Sequence, residues 1–356
     1  MSKTLKITEI AAQTGLSIST VSRVLAGKGN TSESARQQVL ACAKEKGVLQ
    51  GIAAGRLLIN SLVVFAPRRA FDERLDVFYY RVMQGIGEAL VPHDARLRFC
   101  ALEENDSDVG LFLSKMSEPE TEAAILLGID DTHIHDLAAD LGKPCVLINC
   151  QDRKMRLSGV APDHLMTGRF AANYLFDMGH KGVLTLMCLR RYTMEQRLAG
   201  IRDAWDCRNL SFDETRHLLV AQSFGAKESE ALISDYLAAT PRPAWPGALL
   251  VGGDFMAAGA VSALQKAGLR VPQDMSVMSI DGFNLAEIHD VPLTSVHVPR
   301  DELGEEAVQL LQQRLMRPEA PVVNILLAGT LKVQASVRRV GAGKGRPAVS
   351  SDKLYD

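Results

Sequence analysis

Residues 7–47 read ITEIAAQTGLSISTVSRVLAGKGNTSESARQQVLACAKEKG. Three short helical units are legible in this stretch. Thr8 can cap a helix over Glu9–Gln13, and Glu9 suits that helix's positive end. Gly15 then permits a left-handed turn. Ser17 can cap a second helix, about Ile18 to Leu25, and Ser32 a third, Glu33–Lys46, closed by Gly47. Ile10, Leu16, Val21, Val24, Leu25, Val39 and Leu40 are spaced to meet in one small core. Two helices joined by a tight glycine-containing turn make a helix-turn-helix, whose second helix lies in the major groove of DNA. Here that helix and its cap carry Ser17, Ser19, Thr20, Ser22 and Arg23. Short hydroxyl side chains allow close approach to phosphates or base edges, and Arg23 can reach a phosphate or a guanine. The same residue types also make an ordinary helix start, so they point to DNA only together with the turn.

The charge distribution agrees. Residues 1–60 carry eight Lys/Arg against three Asp/Glu, whereas the whole chain has 40 against 42, so a basic head precedes an acidic body. At 356 residues the chain can hold two or three domains. With 47% hydrophobic and 23% charged residues it is not a largely disordered protein. No run approaches the ~18 apolar residues of a membrane span. The N-terminus MSKTLKITEI is polar, without the apolar run of a secretory signal, and the six cysteines form no C-x-x-C pair. A cytoplasmic protein with free, mostly buried thiols is expected, away from any membrane.

From Ser61 onward, apolar strand-like runs alternate with helical stretches. Strands are expected at Leu62–Pro67, Arg96–Leu102, Ala123–Leu127 and Cys145–Ile148, with helices at Tyr79–Leu90, Val109–Met116 and Ile134–Leu141. A second series has strands at Val183–Met187, Leu218–Val220, Ala248–Val251 and Ser276–Ile280. Its helices are Thr167–Met178, Glu195–Trp205, Lys227–Ala238 and Ala257–Ala267. Such alternation predicts an α/β body of two lobes with parallel sheets, ligands meeting the carboxyl ends of the strands. The last residues, GAGKGRPAVSSDKLYD, read as a disordered tail, 341–356.

The run Gly15-Leu16-Ser17, then Ser19-Thr20-Val21-Ser22-Arg23-Val24-Leu25, then Gly27, resembles the headpiece of the lactose-repressor/galactose-repressor transcription factors. In the body, ANYLFDMGHKGVLTL (172–186), RLAGIRDAW (197–205), GGDFMAAGAVSALQKAGLRVPQDMSVMSIDGF (252–283) and PLTSVHVPRDELGEEAVQLL (292–311) resemble the same family, to about Val340. The resemblance implies a headpiece (1–47), a hinge (48–60) and a periplasmic-binding-protein-like effector and dimerisation domain (61–340). Its first lobe would take about 61–160 plus 294–324, and its second about 161–292 plus 325–340. It also implies that Ile18, Ser19 and Arg23 contact bases while Thr8, Ser17, Ser22 and Thr31 contact the DNA backbone. In the hinge, GVLQGIAAGRLLIN (47–60), Val48 stands for the family's tyrosine, the proline is missing and Gly55-Arg56-Leu57-Leu58 stands for Ala-Arg-x-Leu. The family wedges a hinge leucine into the minor groove. Leu58 fits that role best, with Arg56 beside it, though the spacing leaves Leu57 open. Gly51 and Gly55 make this hinge a poor helix when free. One helix-turn-helix reads one half-site, so a homodimer or tetramer on double-stranded operator DNA is expected.

For the ligand, Asp281 sits past a strand, Arg197 opens a helix and Asp163 lies at a lobe crossing. Each alone reads as a solvated charge. The resemblance places all three around a small molecule between the lobes, where carboxylates accept from hydroxyls and the guanidinium fork donates. Arg191 and Thr193 join them by the same resemblance. The loop after the first strand holds Arg68, Arg69, Phe71, Asp72 and Arg74, then Phe78 and Tyr79. Relatives stack an aromatic there; Phe78 is the candidate, with the choice among the aromatics open. The arginines add a sugar phosphate or sugar acid to a plain sugar as the expected ligand; the alternative is a solvated, salt-bridged loop. Gly253-Asp254 and Asp281-Gly282 depart from the family's Asn-Asp and Asp-Asp. His133, His135, Asp130 and Asp131 read as capping residues, not as a metal site. Neither a phosphate-binding G-x-x-x-x-G-K-[ST] loop nor a G-x-S-x-G elbow occurs. No enzyme activity and no cofactor are therefore expected. The reading is a repressor controlled by a sugar-like molecule; the alternatives are a solute-binding protein of the same body or a purine-responsive regulator.

Overall fold

A computed structural model describes residues 3–25, 31–46, 60–73, 76–93, 95–282 and 291–341. The head comprises α1 (Lys3–Thr14), α2 (Ile18–Leu25) and α3 (Glu33–Glu45). Nothing before Thr8 breaks a helix, so α1 begins at Lys3 and Thr8 lies inside it, not at its cap. Gly15 takes the left-handed turn at φ +68°. Ser17 caps α2, its Oγ accepting from the Thr20 N–H at 3.0 Å, and Ser32 caps α3 by accepting from Ala35 at 3.3 Å. Ile10, Val21, Val24, Leu25 and Val39 close one core, with Leu16 and Leu40 packed against it.

The body continues with β1 (Ser61–Ala66), α4 (Val77–Leu90), β2 (Arg96–Ala101), α5 (Val109–Ser117), β3 (Ala123–Leu127), α6 (Thr132–Asp140), β4 (Cys145–Ile148) and β5 (Ser158–Pro162). Then come α7 (His164–Asp177), β6 (Val183–Met187), α8 (Tyr192–Asp206), α9 (Glu214–His217), β7 (Leu218–Val220), α10 (Ala226–Ala239), β8 (Ala248–Val251), α11 (Asp254–Lys266) and β9 (Ser276–Asp281). The chain ends with β10 (Thr294–His297), α12 (Asp301–Met316), β11 (Asn324–Leu327) and β12 (Thr330–Lys332). The strands form two six-stranded sheets, ordered β11-β5-β4-β3-β1-β2 and β12-β10-β9-β8-β6-β7. The strands at the centre, β1, β3, β4, β6 and β8, are buried along their whole length, as parallel strands covered on both faces must be.

The chain divides into two compact units whose boundaries fall at Ala161/Pro162, Pro299/Arg300 and Ile325/Leu326. One boundary differs from expectation. Residues 294–297 pair in parallel with β9 and antiparallel with β12. Thr294–Val296 is a buried run that needs a covered sheet position, and β9 supplies one, so the return to the first unit comes at Arg300, not near Thr294. Among the described residues no helix is long and apolar enough to cross a membrane.

Candidate functional site

In the second unit, three elements converge on one arginine. Arg197 lies in α8 with its side chain only 2% exposed. Its Nε donates to Nδ1 of His164 at 3.3 Å, the first residue of α7. One terminal nitrogen donates to the carbonyl oxygen of Gly252, just past β8, at 2.7 Å. The other donates to Oδ1 of Asp281, at the end of β9, at 2.8 Å. The guanidinium is thus a fixed strut between strand ends. Asp281 holds φ +113°, a conformation that costs a non-glycine residue free energy and persists only where its surroundings impose it.

Helix packing makes this reach possible. A Cβ on Gly168 would sit 2.1 Å from the carbonyl oxygen of Arg197, and one on Gly200 would sit 1.8 Å from that of Leu165. Both positions are closed to any side chain, so α7 and α8 cross backbone to backbone and His164 comes within reach of Arg197. Burial, and then the positive charge of Arg197, hold the His164 imidazole well below its usual pKa, so the ring is neutral.

The other residues expected at this site take distinct places. Asp163 caps α7, its Oδ1 accepting from the Met166 N–H at 2.9 Å. Arg191 is the buried residue preceding α8. Thr193 lies one turn before Arg197 on α8, buried, with no hydrogen-bond partner for its hydroxyl among the described residues. Gly253 faces Asp281: a Cβ built there would lie 3.5 Å from Oδ2.

In the first unit, four strand ends bring a different set together. Arg69 donates through Nε to Asp76 at 2.8 Å and through a terminal nitrogen to Glu104 at 2.5 Å. Its guanidinium lies 5.5 Å from the centre of the Tyr79 ring. The Tyr79 hydroxyl accepts from the Asn149 side chain at 3.1 Å. Burial, then the charge of Glu104, pushes the Asp130 carboxyl up to about 7. Phe78 is buried edge-on against Tyr79, and Tyr79 makes the polar contacts. These partners are far apart in sequence, and only the identity of the strand-end loops could have suggested them. The neighbouring Asp131 caps α6, accepting from His133 N–H at 2.9 Å, and the His135 ring bonds the carbonyl oxygen of Ile129 at 2.8 Å.

On the head, α2 leaves Ile18 55% exposed, with Ser19, Ser22 and Arg23 also on the surface. The Ser17 hydroxyl lies 2.8 Å from those of Ser19 and Thr20. Thr8 is exposed and Thr31 half-buried. Arg56, Leu57 and Leu58 lie outside the described residues, as do Arg74 and residues 342–356 of the expected tail. Arg36 on α3 ion-pairs with Glu122, the residue before β3. The same carboxylate accepts from the backbone and side-chain nitrogens of Asn60 at 3.2 and 3.1 Å.

Comparison with known proteins gives these features a setting. Residues 6–47 match the model of the bacterial regulatory proteins of the lacI family, and residues 156–337 that of the periplasmic binding protein-like domain. The ribose operon repressor of Escherichia coli K12 is 26% identical over 318 residues, 87% of this chain and 93% of its own. The transcriptional regulator MalR of Streptomyces coelicolor is 26% identical over 356 residues, 97% of this chain and 100% of its own. Among solved structures, the complex of the regulator CelR with cellobiose has a TM-score of 0.68 at 23% identity, covering 93% of this chain and 99% of that one. The lac repressor dimer bound to operator and an anti-inducer has a TM-score of 0.68 at 21% identity, covering 93% and 98%.

Proposed function

We propose, for a chain that belongs to the lacI family of bacterial regulatory proteins and is a DNA-binding transcriptional regulator and not an enzyme, that an uncharged, hydroxyl-rich molecule of the sugar class controls its hold on DNA. The observation that carries this reading is the buried Arg197–Asp281 pair. A carboxylate held rigid by an arginine accepts hydrogen bonds from vicinal hydroxyls. Matched charges disfavour the anionic ligand that the arginine count first suggested. Arg197 is already answered by Asp281, and in the other unit Arg69 is answered by Asp76 and Glu104. A phosphate or sugar acid at this pair would meet the repulsion of Asp281, whose countercharge Arg197 is already engaged. The relatives named for ribose and complexed with cellobiose point the same way. Asp163, Arg191 and Thr193 would shape the site around this anchor.

The head would then read a pseudo-palindromic operator as half of a homodimer, because one helix-turn-helix covers one half-site. Ile18, Ser19 and Arg23 would face base edges. Thr8, Ser17, Thr20, Ser22 and Thr31 would face the backbone, with Leu58 as the hinge wedge and Arg56 beside it. Glu122 gives the first sheet a grip on both the head and the end of the hinge, a route by which ligand could reach DNA. Calorimetric titration with neutral sugars, their phosphates, their acids and purines tests the ligand class. A neutral sugar is expected to bind the native chain and not Asp281→Ala. Heat from a sugar phosphate or a purine alone would overturn the class. Arg23→Ala is expected to weaken operator binding by roughly 1–3 kcal/mol, measured by fluorescence anisotropy at fixed salt.

A further inference from the structure

We infer that His164 is the positioning residue of this site: its ring, acting as an acceptor, sets the orientation of Arg197 and through it that of Asp281. The inference rests on reading the Arg197–Asp281 pair as the ligand anchor, and its central contact can be tested without any ligand.

A guanidinium carries only donors, so whatever faces Nε must accept. The atom there is Nδ1 of His164, at 3.3 Å. The ring is therefore the tautomer with its proton on Nε2. Protonation of Nδ1 would set two donors and two positive charges against each other inside the protein, and the depressed pKa of the ring accords with that geometry.

The three acceptors around Arg197 are not equivalent. The carbonyl oxygen of Gly252 belongs to the backbone and no side-chain change can remove it. Asp281 is the group that Arg197 serves. His164 is the one remaining side chain among the three, and it alone engages Nε, the nitrogen that fixes the rotation of the fork about its stem. Without an acceptor there, the buried Nε–H is left unsatisfied, and the fork turns to find a partner at the expense of its bond to Asp281. The strained backbone of Asp281 adds to the effect, since a residue at φ +113° depends on its partners to stay there.

The test exploits side-chain shape. In an Asn side chain the amide oxygen can occupy the place of a histidine Nδ1, whereas in Gln the amide lies one methylene farther out, near the place of Nε2. His164→Asn, His164→Gln and His164→Leu are made in the full-length chain, with arginine labelled at Nε, and the exchange of the Arg197 Nε–H with water is followed by NMR. The native chain and His164→Asn are expected to give a protected Nε–H, and His164→Gln and His164→Leu one that exchanges about ten- to a hundredfold faster. A role confined to filling space would rank Gln at least equal to Asn. That order, or equal protection in all four proteins, would overturn the inference. Titration with the neutral sugar that binds the native chain is expected to follow the same ranking. If Asp281→Ala kept full sugar affinity, the ligand reading would fail while the NMR result still judged the His164–Arg197 contact.

Discussion

The two sheets repeat one strand order, and the residues at matching strand ends differ. β4 in the first sheet and β9 in the second hold the same place in that order. Asn149, just past β4, has φ +54°, and Asp281, at the end of β9, has φ +113°. Two non-glycine residues in left-handed backbone at equivalent turns indicate a shared scaffold with different side chains mounted on it. Asn149 bonds a tyrosine hydroxyl, a neutral pair. Asp281 bonds an arginine with almost no exposed surface. In the first unit the arginine is Arg69, 28% exposed and divided between two carboxylates. The fold fixes where each strand-end turn lies, and the choice of residue at the turn fixes what chemistry it presents.

The contrast predicts unequal responses to mutation. Arg197→Leu removes one partner of a buried pair and strands Asp281, so a loss of roughly 3–5 kcal/mol is expected in denaturant unfolding, together with loss of sugar binding. A variant of native stability would mean that the pair is not the strut described here.

Titration separates the two units in the opposite sense. Asp130 takes up a proton in the folded chain up to about pH 7, whereas an unfolded aspartate loses it near its usual value. Its folded state therefore binds more protons between about pH 4 and 7, and stability falls as pH rises through that window. His164 has a folded pKa well below the ordinary one, so its contribution is present above about pH 6.5 and is lost as pH falls below that value. Asp130→Asn is expected to raise Tm at pH 8 by roughly 2–4 °C, with the gain fading towards pH 4. A gain that grew on acidification would contradict the assignment.

The smallest effect is expected at Arg69. Arg69 itself is 28% exposed, and Gln keeps a donor for Asp76 and the buried Glu104, so Arg69→Gln should cost about 1 kcal/mol, and less at high salt. A cost matching that of Arg197→Leu would erase the distinction between the two sites.

What could be read beforehand follows the same division. Apart from the start of α1, which begins at Lys3 and not after a Thr8 cap, the head was legible because the Ser17 and Ser32 caps, the Gly15 turn and the apolar spacing are local signals. β3, β4, β6, β7 and β8 were legible with their bounds because most are short runs of apolar residues between turns. β11 and β12 are half-exposed and three or four residues long, too weak to register as strands in the absence of their neighbours. The place of β10 was missed because only pairing with β9 and β12 decides to which unit a strand belongs. The positions of Arg197 and Asp281 came from resemblance. The contact of His164 with Arg197 was hidden, since it depends on how closely two helices cross. Phe78 and Tyr79 are neighbours on one helix turn, and composition cannot say which of them meets Asn149.

That crossing has a consequence for the genes this protein governs. Gly168 and Gly200 lie in the helices and carry no group that could touch DNA or a sugar. A single methyl at either would force α7 and α8 apart and take His164 out of reach of Arg197, yet leave the DNA-facing side chains of the head in place. The regulator would keep its DNA-reading surface and lose its response to its effector, so its target genes would stay at one fixed level of expression. Loss of control can thus arise by mutation at two glycines that carry no group for binding either DNA or effector.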